Sequence, residues 1–295
     1  MIALYRASTL KRDRPSKARI EVLDEQILAV LEEDHPQSVR HVFYRMTDPQ
    51  LEEPVEKSDR GYRHVQDRME KLRRAGKLPF GWVTDATRRG HHTPTYVDEA
   101  HFLRAMKGLY RADLWQLSDY YCEVWTESRS IAGVVEADCR ELAVSLYPAG
   151  GFSSITLAYE SAEAINHWSD GKPAVIFYIG DYDPAGVLID VALERELRQH
   201  LSPTIDLTFR RIAITEQQIE ELDLPTKPRK ETDRRSLHIV GTVEAEAMPA
   251  GILRELLRTE IENLLPPDAL MVARVEEQSA KDYFDRLAEI TRGEP

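Results

Sequence analysis

Residues 174–196 read AVIFYIGDYDPAGVLIDVALERE. The first six are apolar without alternation, the pattern of a strand buried on both faces, as in a parallel sheet covered by helices. Gly180 ends the run, and Asp181 and Asp183 follow, one residue apart. Pro184 suits the first turn of a helix, and an amphipathic pattern continues to about His200. Gly180 and Gly186 permit tight backbone at this corner. The stretch therefore predicts strand, tight turn and helix, with two carboxylates at the strand's carboxyl end.

Working outward, similar units recur from about residue 120. YCEVW (121–125) reads as a strand and SRSIAGVVEADCRELAVSL (128–146) as a helix. A loop, YPAGGFSS, precedes a helix that closes with SAEAINHWSD (161–170). IDLTFRRIAI (205–214) is one more strand, and Thr215 to Pro228 a helix and a proline-bounded loop. From Gly251 onward the pattern is mostly helical. Apolar strands alternating with helices predict an α/β domain with a parallel sheet flanked by helices.

The N-terminal third differs. Ser16 can cap a helix whose stripe is Ile20, Leu23, Ile27, Val30 and Leu31, and Ser38 a short one in QSVRHVFYRM. In SDRGYRHVQDRMEKLRRAG (58–76), Tyr62, Val65, Met69 and Leu72 share a core-facing stripe, and Gly76 stops the helix. KLPFGWVTDATRRG (77–90) reads as a strand and turn. Three helices followed by a β-wing outline a winged-helix-like module, equally an ordinary helical subdomain. The predicted division is a DNA-binding module at 1–95 and an α/β domain with C-terminal helices at 96–295.

The chain has 295 residues, 42% hydrophobic and 31% charged, enough for a sizeable core. No apolar run reaches the roughly 20 residues of a membrane span, and no apolar segment follows the basic N-terminus as in a signal peptide. Two cysteines, Cys122 and Cys139, lack metal-ligand spacing and are expected to be reduced thiols of a cytoplasmic protein. The net charge of −12 is unevenly spread: residues 1–90 carry 18 Lys/Arg and 15 Asp/Glu, the remainder 21 and 36. The mildly basic part is the one expected to meet DNA. Arg73, Arg74, Lys77, Arg88 and Arg89 flank the expected wing and are candidates for phosphate contacts, or else a solvated face.

In open α/β sheets ligands bind beyond the carboxyl ends of strands. Asp181 and Asp183 are expected there, with Glu127 at the same edge after YCEVW. Three converging carboxylates repel one another, and a divalent cation relieves that. Oxygen-only ligands completed by water and phosphate suit Mg²⁺. A D-x-D pair by itself is as readily a helix cap.

Glu127 after one strand and GDYDPAG (180–186) after a later one resemble the Toprim domain of topoisomerases, primases and related nucleases. The pattern is most similar to the topoisomerase VI A subunit and meiotic double-strand-break protein family. VEAEAMPAG (243–251) resembles that family's V-E-x-D-A-L-P-P segment, with Glu246 where the family carries aspartate. SVRHVFYRM (38–46) offers Arg40 and Tyr44 in the family's R-x-x-x-Y pattern. The chain departs in being shorter, in carrying Ser128 where a lysine often stands, and in lacking a GHKL-type ATPase region. It also resembles uncharacterised Toprim proteins of phages and mobile elements.

The resemblance implies an Mg²⁺-dependent DNA-cleaving protein, with Glu127, Asp181 and Asp183 holding the metal. Tyr44 would attack the phosphodiester to form a phosphotyrosyl link, Arg40 stabilise phosphate charge, and Glu127 double as general acid or base. It further implies a homodimer pairing one subunit's tyrosine with the other's carboxylates, a possible separate ATPase subunit, and nucleoid association. Two alternatives stand beside it: a Toprim nuclease using metal-activated water, with Tyr44 structural, and a non-catalytic DNA- or partner-binding component.

Overall fold

The computed structural model describes residues 16–84, 93–150, 155–228, 239 and 241–292. Three helices open the chain: α1 (Lys17–Glu33), α2 (Val39–Met46) and α3 (Asp59–Arg74). The hydroxyl of Ser16 accepts the N–H of Arg19, and that of Ser38 the N–H of His41, so both serine caps form. Ser58 does the same for α3 through Gly61. Past α3, Gly76 takes φ +69°, the left-handed conformation a glycine tolerates after a helix.

Among the described residues 77–84 the expected wing strand does not form. Pro79 fixes an extended φ, and Phe80–Trp82 then coil into a single 3₁₀ turn. The only ladder contact there among described residues is one parallel bridge between Gln37 and Val83. Residues 85–92, with Arg88 and Arg89, lie outside the described residues.

Helix α4 (Glu99–Met106) leads to the sheet. Its strands are β1 (Tyr121–Thr126), β2 (Ser145–Pro148), β3 (Ala174–Ile179) and β4 (Leu207–Ala213), all parallel, in the order β2-β1-β3-β4. The crossovers are α5 (Arg129–Glu141), α6 (Ile155–Trp168) and α7 (Gly186–His200). The predicted helix over 128–146 is shorter than expected. It ends at Glu141, Ala143 turns at φ +52°, and Val144 and Leu146 then feed an edge strand. Helix α8 (Glu216–Glu221), a two-residue antiparallel pair β5 (Lys227–Pro228) and β6 (Gly241–Thr242), and helices α9 (Ala250–Glu262) and α10 (Ala269–Arg292) complete the described chain.

Strand periodicity sorts the core into two layers. Cys122 and Val124 of β1, with Val175, Phe177 and Ile179 of β3, face α5 and α9. Trp125, Ile176 and Tyr178 point the other way, into the cluster with α6 and α7. The first layer continues without a break into Leu23, Ile27, Val42 and Met69 of the N-terminal helices. Asp34, at the end of α1, reinforces this junction: it accepts the N–H of Gly251 at 2.7 Å and pairs with Arg254 on α9. No described helix is long and apolar enough to cross a membrane.

Candidate functional site

From β1 the chain leads outward to β2, then returns across the sheet to β3 on the other side of β1. That reversal opens a crevice at the carboxyl ends of β1 and β3, where open α/β sheets place ligands. Glu127 follows β1 and Asp181 follows β3, so two of the sequence candidates fall on this crevice.

The corner after β3 is built by close packing. A Cβ on Gly186 would lie 2.3 Å from the Asp181 carbonyl oxygen, a backbone atom, so only glycine fits there; one on Gly180 would crowd the side chains of Tyr178 at 2.6 Å and Glu127 at 2.8 Å. Arg211 on β4 clamps the loop, donating to the carbonyls of Gly180 at 3.0 Å, Asp181 at 3.1 Å and Gly186 at 2.8 Å. Its Nε pairs with Asp190 at 2.7 Å. Tyr182 forms an antiparallel bridge to Val243, which brings the 243–246 segment alongside.

Asp181 Oδ1 accepts the N–H of Ala245 at 2.8 Å, and Asp181 N–H donates to Glu127 Oε2 at 2.9 Å. Asp183 Oδ1 accepts the N–H groups of Ala185 at 2.8 Å and Gly186 at 2.6 Å and so caps α7. Glu246, buried, accepts from the hydroxyls of Ser128 and Ser130. Among described residues no three His, Cys, Asp or Glu side chains are gathered as a closed metal site. Only Glu127 and Asp181 are linked, and each uses one carboxylate oxygen in the bonds named.

Electrostatics single out Asp181. Burial first, then the charge of Glu127, push its carboxyl up to about 8, with Glu246 and Glu244 adding to the repulsion. Burial also raises Glu127, against the Asp181 N–H bond and with help from the Asp183 charge. Without a cation this edge therefore keeps a proton at neutral pH in place of one negative charge, and a bound cation would take over that role. An oxygen-only pair in that condition fits Mg²⁺, which is commonly held by one or two carboxylates.

Asp181 and Glu246 line a cleft of about 800 Å³. Ser128 and Ser130 lie on the same wall, while Arg40, Arg73 and Arg74 line it from the helical side. Arg73 donates to the carbonyl of Phe80 at 2.7 Å and stacks over its ring, and Arg74 pairs with Glu70. Lys77 is exposed and does not line the cleft.

Tyr44 is only 6% exposed and belongs to the apolar core. Burial and the neighbouring Glu244 carboxylate raise its phenol well above the usual tyrosine range. It does not line the cleft with Asp181; it borders a separate cavity of about 390 Å³ with His41, Arg45 and Glu246. Arg40 is ion-paired to Glu244. Tyr62, expected in the core, is half-buried: it packs edge-on against Phe43 and forms part of the cleft wall. Sequence reasoning missed Arg211, Ser130 and Glu244. Arg211 left a signal, as an arginine pair interrupting the apolar strand LTFRRIA, and Glu244 stands in the VEAEAMPAG segment, where its own role was not read.

Compared with known protein families, curated proteins and solved structures, the chain matches none.

Proposed function

We propose that this protein cleaves DNA with Mg²⁺ at the cleft between α3 and the carboxyl ends of β1 and β3, in the manner of the topoisomerase VI A type. One observation carries this reading: a single cleft sets Arg40, Arg73 and Arg74 opposite Asp181 and Glu246 at the sheet's switch point. Arginines on one wall suit a phosphodiester backbone. Crowded carboxylates on the other suit the cation that accompanies it. Glu127 and Asp181 would hold Mg²⁺, with Asp183 fixing the loop between them and α7. A bound Mg²⁺ would neutralise charge on the scissile phosphate. Glu127, raised by burial, is placed to hold or release a proton beside Asp181.

In this reading Tyr44 is the nucleophile and serves a partner subunit's carboxylates, so a homodimer is part of the proposal, as are a winged-helix role for residues 1–95 and a separate ATPase partner. The burial of Tyr44 against Glu244 favours a second reading, a Toprim-type nuclease in which water attacks and Tyr44 supports the fold. Labelled DNA incubated with Mg²⁺ and resolved by denaturing electrophoresis tests both. Asp181→Ala is expected to lose cutting; retained cutting removes the carboxylate site. A DNA-linked protein band lost in Tyr44→Phe supports the first reading, and free-ended product from both proteins supports the second.

A further inference from the structure

Beside the cleft, a smaller cavity of about 270 Å³ opens between the start of α3 and the β5–β6 pair. Its charged lining consists of Arg40, Lys57 and Lys227 against Glu244 and Asp59. Glu244 is already committed, accepting from Arg40 through one oxygen and from Lys227 at 2.9 Å through the other. Burial pushes its carboxyl up, but the two cations outweigh this and hold it at about 2. Among the described residues Lys57 is ion-paired to no carboxylate; its Nζ donates to the Thr226 carbonyl at 3.1 Å. Both ammonium groups lie over the Tyr44 ring, Lys57 at 5.4 Å and Lys227 at 5.6 Å. Burial, then the charge of Lys227, lower the Lys57 ammonium. Two lysines from distant parts of the chain are thus held against one aromatic ring, with a single shared carboxylate between Arg40 and Lys227.

We propose that this cavity is a binding site for a phosphate group, held by Lys57, Lys227 and Arg40. A tetrahedral oxyanion can accept from the ammonium N–H groups that Lys57 and Lys227 do not spend on Thr226 and Glu244, and Ser58 and Asp59 at the start of α3 line the same space. The backbone connects this cavity to the carboxylate edge. Glu244 faces the cations, the next N–H, of Ala245, binds Asp181, and Glu246 lines the cleft. A phosphate here therefore lies a few residues from the carboxylates. Its assignment to nucleic acid rests on the proposed function, whereas the anion site rests on the lysines alone.

The test uses the full chain in EDTA, so that it is independent of any cleavage. Inorganic phosphate is expected to raise the melting temperature above that in chloride of equal ionic strength. It is also expected to displace a labelled single-stranded oligonucleotide. Lys57→Gln/Lys227→Gln is expected to abolish the phosphate-induced rise and weaken oligonucleotide binding about tenfold. Lys57→Arg should retain both effects, and Lys17→Gln, a surface lysine, should behave as wild type. Tighter binding of a 5′-phosphorylated than of a 5′-hydroxyl oligonucleotide assigns the site to a strand end, and equal binding assigns it to an internal phosphodiester. If the double variant fails to fold, Lys57→Gln alone is compared with Lys57→Arg. No phosphate-specific rise in the wild type, or full oligonucleotide binding in the lysine variants, would overturn the proposal.

Discussion

Glu123 and Asp181 sit on or just past neighbouring strands of one sheet, and their surroundings are opposite. Glu123 is fully buried, yet its carboxylate accepts from Trp125 Nε1 at 2.9 Å, Ser161 Oγ at 2.7 Å and the Tyr121 hydroxyl at 3.0 Å. Burial raises its carboxyl, and those donors work against the rise. Asp181 has one backbone donor and three acidic neighbours whose charges raise it. A buried carboxylate surrounded by donors is part of the architecture. One surrounded by other carboxylates is maintained at a cost to stability, the usual condition of a binding site.

That contrast is open to direct attack. Glu123→Ala leaves the indole, the serine and the phenol without their acceptor in the core. It should destabilise the protein by about 3 kcal/mol, read from the urea midpoint. Asp181→Ala should change the midpoint little or raise it. Equal losses in both variants would erase the distinction.

The pH dependence of the metal-free protein sharpens it. The folded-state value of Asp181 is about 8, against 3.8 when unperturbed. Between those values the folded state holds a proton that the unfolded state has released, so stability falls as pH rises through the window and levels off above it. The fall attributable to Asp181 should be about 2 kcal/mol after allowance for solvent screening, and Asp181→Asn should remove it. Thermal melts across pH 5 to 9 give the slope. Mg²⁺ should raise the melting temperature at pH 8 in wild type and not in Asp181→Ala. A smaller effect is expected of Ser130→Ala, which removes one hydroxyl donor from Glu246 and should cost about 1 kcal/mol without altering the Asp181 slope.

How much of this was legible in the sequence follows from range. β3 and α7 were readable because a continuous apolar run, a glycine turn and a helical stripe are local patterns. So were the caps at Ser16 and Ser38, each a hydroxyl reaching a backbone N–H three residues on. β2 was not readable: it is a four-residue edge strand whose pairing with β1 is set across the sheet, and helical residues precede it directly. The carboxyl-end placement of Glu127 and Asp181 followed from strand polarity. The capping role of Asp183 depended on the turn geometry at Ala185 and Gly186. Arg211 and Glu244 act on segments 31 and 204 residues away, at Gly180 and Arg40; local patterns mark the two residues, in LTFRRIA and VEAEAMPAG, but not these partners. The same holds for the burial of Tyr44, which is decided by what Glu244, Lys57 and Lys227 bring over it.

Asp34 has a consequence for how the chain is made. Its partners Gly251 and Arg254 come 217 and 220 residues later. At about 5–20 residues per second, translation leaves the end of α1 without them for roughly 10–40 s. During that interval the apolar stripe of Leu23, Ile27 and Leu31 has α2 and α3 to pack on but not α9. The N-terminal helices should therefore remain protease-sensitive on stalled ribosomes until the α9 segment has emerged, and acquire protection with it rather than before.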